Sequence, residues 1–309
     1  MSQLIRPPFP SVIDNSLLSA FRSCPQKCFR EYIEHWKPKT PNIHLHAGKA
    51  YAAGMEATRL AYYVEGRNAE SSIAAGLGVL MREYGTFECP PDSAKSLNRM
   101  CGAFEFYFSR YPLTSDAAVP IELPGGKRGI EFSFTEPIDC DHPETGEPLL
   151  YVGRFDALVN YAGGTYGLDD KTTSSLGASW SKQWDLRSQF TGYCWGAAQA
   201  NLRLDGFLVR GISILKTKYD TLQPITYRPT WMIDEWYTQM LRDLKRMKAC
   251  WEEGYWDFNL DHACTEFGSC VFRTICMSEP AKRLAWLETG FERRRWNPVT
   301  REEVTVSNS

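Results

Sequence analysis

Apolar and polar residues follow a helical spacing over the first third of the chain. Residues 14–36 show this spacing, and Asn15 or Ser16 is the expected N-cap, because these side chains accept hydrogen bonds from the amides of a first helical turn. Pro38 marks the end of this helix. Residues 46–110 predict three further helices, interrupted at a glycine and across the segment CPPDS.

A period of two replaces the helical spacing in the middle of the chain. Residues 117–230 contain the segments GIEFSFTEPI, FLVRGISILKT and QPITYRPT, which predict strands, with a helical interval at 178–200 between them. Residues 231–253 are helical again and lead into a cysteine-bearing segment and a polar tail. Strands around one long helix, preceded by a helical block, predict an α/β or α+β fold.

The composition is that of a globular protein without a global charge bias. Of the 309 residues 43% are apolar, which is enough for a substantial core, and the net charge is −2. There is no run of 18 apolar residues and no signal-peptide core at the N-terminus, so we expect a cytoplasmic protein without a membrane partner. Ten cysteines are too few for a disulfide scaffold, and clustered ones are better explained as metal ligands.

The segment YVGRFDALVNYAGGTYGLDDKTTSS (residues 151–175) predicts a β-hairpin. Gly163 and Gly164 lie between two runs of aromatic and β-branched residues, and glycine supplies the positive φ that a two-residue turn needs. If these glycines form the turn, Ala162 pairs with Thr165 and the register of both strands follows from this pair.

This register places acidic residues and a lysine on one face of the hairpin. Ala157 faces Asp170 on a largely apolar side that packs inward, whereas Asp156 opposes Lys171 on the other side. Asp156, Asp169 and Lys171 therefore share a face, and the two carboxylates are diagonal neighbours that one divalent cation can bridge. A simple Asp156–Lys171 ion pair is the alternative, but it leaves Asp169 unexplained.

Three motifs occur in a fixed order: GRFDALV, LDDKTT and QFTGY. This order resembles the PD-(D/E)XK nuclease superfamily, and in particular its RecB-like branch. The residues that match are Asp156, Asp169 with Lys171, and Gln189 with Tyr193. The resemblance implies a restriction-endonuclease-like α/β core, in which a mixed central sheet is flanked by helices, with an N-terminal helical block and a C-terminal cysteine-bearing segment.

The same resemblance implies a metal-dependent phosphodiesterase. The acids Asp156 and Asp169 and the carbonyl of Asp170 would bind Mg²⁺ or Mn²⁺, and Lys171 would orient the hydrolytic water or offset charge on the phosphate. Gln189 and Tyr193 lie four residues apart on one helix face, and the family uses this face to steady the site and contact DNA.

The early helix departs from the family pattern G-x-x-x-H-x-x-x-E. The stretch GKAYAAGME contains Gly48 and Glu56 but has Ala52 at the position of the histidine. Glu56 is the expected replacement as a metal ligand, and His46 is a weaker substitute.

Cysteines near both ends of the chain resemble the iron–sulfur ligands of the AddB nuclease domain and the CRISPR-adaptation nucleases. The resemblance assigns Cys24, Cys264, Cys270 and Cys276 to a [4Fe–4S] cluster, with zinc as the competing metal because it also accepts four thiolates. The gap between the first two clustered cysteines is five residues, where those families have two. Cys28 is a second candidate for the N-terminal ligand.

These motifs predict one nuclease domain over residues 1–309, with a mainly helical block at 1–116, a catalytic α/β core at 117–230, and a helix, cysteine segment and tail at 231–309. We expect a DNA exonuclease that prefers single-stranded ends, in phage or prokaryotic recombination and repair, with a recombination or CRISPR-type protein partner. The alternative is an inactive DNA-binding or assembly subunit that retains the nuclease fold, which the missing histidine allows.

Overall fold

The computed structural model describes residues 6–40, 42–265, 269–300 and 302–306. It has a mixed α/β architecture, which confirms the predicted fold class. The chain forms two compact units, each assembled from distant parts of the sequence. The sheet unit contains Pro41–Phe134 and Arg154–Ile233, and the terminal unit contains Met1–Thr40, Thr135–Gly153 and Asp234–Ser309.

The helices fall close to the predicted intervals. The described α-helices are α1 (Asn15–Ser23), α2 (Pro25–Cys28), α3 (Ile43–Arg59), α4 (Ala69–Tyr84), α5 (Leu97–Arg110), α6 (Ala178–Lys182), α7 (Ser188–Gln199), α8 (Thr230–Glu253), α9 (His262–Thr265), α10 (Arg273–Met277) and α11 (Arg283–Gly290). The three helices predicted within residues 46–110 and the helix predicted at 231–253 are confirmed as α3, α4, α5 and α8. In the part of the chain that the structure describes, no helix combines the length and the apolar character that a membrane crossing requires.

The strands lie mainly in the middle of the chain, as predicted. They are β1 (Val12–Ile13), β2 (Trp36–Pro38), β3 (Val119–Pro120), β4 (Ser133–Asp141), β5 (Pro148–Arg154), β6 (Ala157–Tyr161), β7 (Gly164–Thr173), β8 (Gly206–Ile214), β9 (Tyr219–Leu222), β10 (Ile225–Tyr227), β11 (Phe291–Asn297) and β12 (Glu302–Thr305). Two small sheets, β1–β5–β4 and β12–β11–β2, supplement the main sheet β10–β8–β7–β6–β3, in which β9 also pairs with β8.

The main sheet has helices on both faces. Its central pair, β7 and β8, is parallel, whereas β6 and β7 are antiparallel. Phe207 of β8 stacks on Phe190 of α7 with ring centroids 4.1 Å apart, so this face packs against α7. Ile212 of β8 belongs to the same apolar core as Tyr51 of α3 and Phe104 of α5, so the other face packs against the early helices.

The turn of the β6–β7 hairpin differs from the prediction. Ala162 and Gly163 occupy the turn with φ values of 47° and 85°, and Tyr161 pairs with Gly164. The expected Gly163–Gly164 turn is therefore wrong, and the register is shifted by two residues. Gly164 is required inside the strand, because a Cβ there would lie 2.8 Å from the Asp205 carboxylate. A shift of two residues leaves every side chain on its predicted face.

The first helix of the terminal unit begins one residue earlier than predicted. Asp14 is the N-cap, and its carboxylate accepts a hydrogen bond from the Leu17 amide at 2.8 Å. Neither Asn15 nor Ser16 has this role, because both already belong to α1. The predicted long helix is also interrupted at Cys24, which is extended at φ −162° and ψ 114°, because a residue before proline avoids the helical conformation.

Candidate active site and thiol cavity

Asp156, Asp169 and Lys171 come together on the α7 face of the main sheet. Lys171 and Asp169 lie on β7, and the Lys171 Nζ is 2.6 Å from the Asp169 Oδ2. Asp156 lies just before β6, and its Oδ2 accepts a hydrogen bond from the Asp170 backbone amide at 3.0 Å. This bond ties the acid of one strand to the neighbouring strand, so the hairpin holds both carboxylates and the lysine in one small region.

This group contains two acids and one base, and burial disfavours the charged form of each. Burial raises the pKa of Asp156, and it raises the pKa of Asp169 to about 6, although Lys171 opposes both shifts. Burial acts against the charged form of Lys171, but Asp169 and Asp156 outweigh this effect and its pKa is raised. Two carboxylates, of which Asp169 is buried and Asp156 is half-buried, thus share one half-buried ammonium group.

The donor set of this site suits a hard divalent cation. Carboxylate oxygens are the ligands that Mg²⁺ and Mn²⁺ prefer, and Mg²⁺ is commonly held by one or two carboxylates together with water and phosphate oxygens. A cation between Asp156 and Asp169 also compensates the second carboxylate charge, which Lys171 alone leaves unbalanced. The two acids therefore fit the metal that the sequence predicts.

Gln189 and Tyr193 lie on α7, which packs on the same face of the sheet. The Gln189 Nε2 donates a hydrogen bond to the Tyr193 hydroxyl at 3.3 Å. The Tyr193 ring packs against Phe155 at 5.1 Å between centroids, and its phenol contributes to the raised pKa of Lys171. The structure thus brings this pair to the site of the two acids.

Glu56 and His46 lie on α3, which packs against the other face of the sheet. Among the described residues, no three His, Cys, Asp or Glu side chains have the arrangement of a metal site, so the structure does not show Glu56 grouped with Asp156 and Asp169. Its role as a ligand stays a prediction. The His46 ring contacts the Tyr84 carbonyl at 2.9 Å and stacks on Phe87 at 4.2 Å, so it serves packing.

Asp170 lies between the catalytic candidates in sequence but points to the opposite face. Arg59 of α3 and Tyr107 of α5 both donate hydrogen bonds to its carboxylate, at 2.5 and 2.7 Å. The sequence-based interpretation assigned no role to Arg59 or Tyr107. The sequence does indicate that Asp170 has a buried partner, because it lies on the inward, apolar side of a strand, where a carboxylate requires a buried hydrogen-bond donor.

The terminal unit contains a cavity lined by four thiols. The cysteines that line it are Cys24, Cys264, Cys270 and Cys276, which are the four that the sequence assigns to a cluster. Burial raises the pKa of Cys270 and Cys276, so both thiols are protonated at neutral pH when no metal ion is bound to them. The side chains between them are partly apolar and include Phe258, Leu260 and Phe272. The four thiols line one cavity, but among the described residues no three of them have the arrangement of a metal site, so a [4Fe–4S] or zinc centre stays a prediction.

Local geometry distinguishes Cys24 from Cys28. The helix break before Pro25 leaves Cys24 outside α1 and α2, and the Asn259 side chain holds this turn through the Ser23 carbonyl at 2.7 Å. Cys28 is fully buried and its thiol contacts the Leu17 carbonyl at 3.8 Å. Cys28 is absent from the described lining of the cavity, so Cys24 is the better candidate for the N-terminal ligand.

Two solved structures are similar to this chain over most of its length. One is the "Putative exonuclease" from Eubacterium rectale, with a TM-score of 0.43 and 12% sequence identity over 89% of this chain and 92% of that chain. The other is SSO0001, with a TM-score of 0.31 and 14% identity over 86% of this chain and 95% of that chain. No protein-family model and no curated protein matches the chain. The chemistry of the site is therefore inferred from its own geometry.

Proposed function

We propose that the chain is a metal-dependent nuclease that hydrolyses DNA phosphodiester bonds. The observation that carries this proposal is the convergence of Asp156, Asp169 and Lys171, with a 2.6 Å contact between the lysine and one acid. A surface ion pair would be solvated, but here Asp169 is buried, Asp156 is half-buried, and the pKa values of both carboxyls are raised. Such a cost is typical of sites where charge is needed for chemistry.

Each residue has a distinct task in this reaction. Asp156, Asp169 and the Asp170 carbonyl would hold Mg²⁺ or Mn²⁺. When bound, the cation polarises a phosphoryl oxygen and lowers the pKa of a coordinated water. Lys171 is charged at neutral pH, because its pKa is raised, and it donates a hydrogen bond to the water or to a phosphate oxygen. Gln189 and Tyr193 orient the lysine and contact the DNA backbone.

The finer features of the activity follow the resemblance to RecB-like nucleases. We propose exonuclease action with a preference for single-stranded ends, in recombination or repair and together with a recombination or CRISPR-type protein partner. We also propose that Cys24, Cys264, Cys270 and Cys276 hold a [4Fe–4S] cluster with a structural role. The shared cavity of these four thiols supports this assignment, with zinc as the alternative occupant.

A cleavage assay tests the proposal. Wild-type protein is incubated with DNA labelled at its 5′ or 3′ end, single-stranded or double-stranded, in Mg²⁺, Mn²⁺ or EDTA. We expect metal-dependent release of short labelled products from single strands, faster than from duplexes. Circular single-stranded DNA is the control, because an exonuclease leaves it intact. DNA binding without cleavage in either metal would contradict the proposal and favour the inactive assembly subunit.

A further inference from the structure

Two buried cationic side chains contact strand β7 from the side opposite α7: Arg59 of α3, and Lys95 of the segment between α4 and α5. Asp170 and Thr172 alternate with the catalytic candidates, so their side chains point to the face that α3 and α5 cover. The Arg59 guanidinium contacts the Asp170 carboxylate, and the Lys95 Nζ donates a hydrogen bond to the Thr172 hydroxyl at 3.0 Å. Arg59 and Lys95 are each only 5% exposed, which is unusual for residues of their type.

Asp170 is fully engaged by this arrangement. Arg59 donates to its Oδ2 and the Tyr107 hydroxyl to its Oδ1, while Arg59 also donates to the Tyr107 hydroxyl oxygen at 3.2 Å. The three side chains therefore form a closed triangle of hydrogen bonds. Such a triangle fixes the rotation and the position of the carboxylate, because moving it breaks two charge-assisted bonds.

The Asp170 backbone connects this fixed carboxylate to the residues on the α7 face of the sheet. Its amide donates a hydrogen bond to the Asp156 Oδ2, and its neighbours along the strand are Asp169 and Lys171. A displacement of Asp170 therefore moves one acid through a hydrogen bond and the other two groups through the peptide chain. An apolar pair of similar volume would stabilise the fold at least as well, since burying an ion pair is costly. The ion pair supplies orientation that an apolar pair does not.

We propose that Arg59 and Tyr107 are positioning residues of the metal site, and that they act through Asp170 on the carboxylates of Asp156 and Asp169. This inference rests on the proposed metal-dependent nuclease function. Residues that orient metal ligands from behind commonly change metal affinity by about 10- to 100-fold when they are removed. The Arg59–Tyr107–Asp170 triangle has the connectivity that such a role requires.

The test is a Mn²⁺ titration by calorimetry on four proteins: wild-type, Arg59→Met, Tyr107→Phe and Arg228→Met. Arg228 is the matched control, because it is an equally buried arginine whose hydrogen bonds go to Trp184, Thr191, Thr226 and Tyr227, all outside β7. We expect Arg59→Met and Tyr107→Phe to weaken Mn²⁺ binding by about tenfold or more. Arg228→Met should lower stability towards urea without changing the Mn²⁺ dissociation constant.

Tyr107→Phe and one further variant, Arg59→Lys, keep the test decisive if Arg59→Met does not fold. Tyr107→Phe removes one hydroxyl and preserves the ring, so it reports on the triangle even if Arg59→Met does not fold. Arg59→Lys retains the charge and should recover part of the affinity. If Arg59→Met and Tyr107→Phe have the same Mn²⁺ dissociation constant as wild-type, the positioning role of these residues is wrong, whereas the proposed nuclease function is unaffected. A wild-type protein that binds no Mn²⁺ would overturn the proposed function, and the inference with it.

Discussion

The acidic site and the thiol cavity are built in opposite ways. The acids Asp156 and Asp169 and the lysine come from one hairpin, so a single turn and a few strand pairs bring them together. The four thiols come from both ends of the chain, with Cys24 near the start and Cys276 near the end. One site is assembled by local structure and the other by the closure of almost the entire sequence.

Because of this difference, we expect substitutions in the two sites to have different effects on activity and stability. We expect the acidic site to cost stability, because it places two carboxylates beside one lysine and burial raises the pKa of both acids. The thiol site closes a long loop, so a metal bound there removes denatured-state entropy and its binding energy becomes folding energy. Variants of the first site should lose chemistry and keep the fold, whereas variants of the second should lose stability.

The largest expected effect is on cleavage by variants of the acidic site. Asp156→Ala, Asp169→Ala and Lys171→Ala should each reduce the rate of DNA cleavage by orders of magnitude, because each removes a metal ligand or the charge that faces the phosphate. DNA binding should stay measurable by fluorescence anisotropy, and circular dichroism should show that each variant is folded at the assay temperature. Rates near that of wild-type in all three variants would remove these residues from the chemistry.

Serine variants of the thiol cavity should instead affect stability. Serine at Cys24, Cys264, Cys270 or Cys276 should lower both the melting temperature and the brown colour of anaerobically purified protein, since a ligand is lost. Serine at Cys28 is the matched control and should retain the colour, because Cys28 is buried against the Leu17 carbonyl. Colourless protein with one zinc ion per chain would reject the cluster, and metal-free protein that melts cooperatively would reject both metals.

A moderate effect of pH on Mn²⁺ binding is expected at the acidic site. Metal binding requires ionised Asp169, whose pKa is raised to about 6, so lowering the pH from 7.5 to 5 should weaken Mn²⁺ binding by about tenfold. A raised pKa also means that the folded state favours the protonated acid. In EDTA the protein should therefore gain stability as the pH falls from about 6 towards 4. Asp169→Asn should reduce this gain, and an unchanged profile in that variant would contradict the assignment.

The smallest expected effect concerns the turn that sets the hairpin register. Ala162 has a φ of 47°, a conformation that costs a residue with a Cβ about 1–2 kcal/mol. Ala162→Gly removes this cost but adds flexibility to the unfolded chain, so the free energy of unfolding should rise by about 0.5–1 kcal/mol. Gly163→Ala at the next turn position should lower it. Chemical denaturation measures both changes, and a loss of stability in Ala162→Gly would show that the turn is not strained.

The shared face of Asp156, Asp169 and Lys171 was predictable although the turn was not. The sequence GG favoured a turn at both glycines, but Gly164 pairs with Tyr161 in the strand, and the next amide, that of Thr165, donates a hydrogen bond to the Asp205 carboxylate, which is remote in sequence. The resulting shift is an even number of residues, and side chains alternate with a period of two, so the faces are unchanged. A shift of one residue would have reversed them.

Residues that depend on tertiary packing were not predictable from local patterns. Arg59 lies on an amphipathic helix where a charged residue is ordinarily solvated, and only the packing of α3 against β7 brings it to Asp170. The choice between Cys24 and Cys28 was also open, because both lie in one helical interval. Pro25 is the residue that distinguishes these two candidate ligands, since it ends the first helix and leaves Cys24 extended.

The proposed function requires that Asp156 and Asp169 together bind a divalent cation. The most direct measurement is a calorimetric Mn²⁺ titration at pH 7.5 of the wild-type protein and of the double variant Asp156→Asn/Asp169→Asn, which retains the shape of both side chains. We predict saturable binding to wild-type protein and no heat of binding at that site in the double variant, with equal melting temperatures or a higher one in the variant. Identical isotherms for the two proteins would show that Asp156 and Asp169 do not hold the cation.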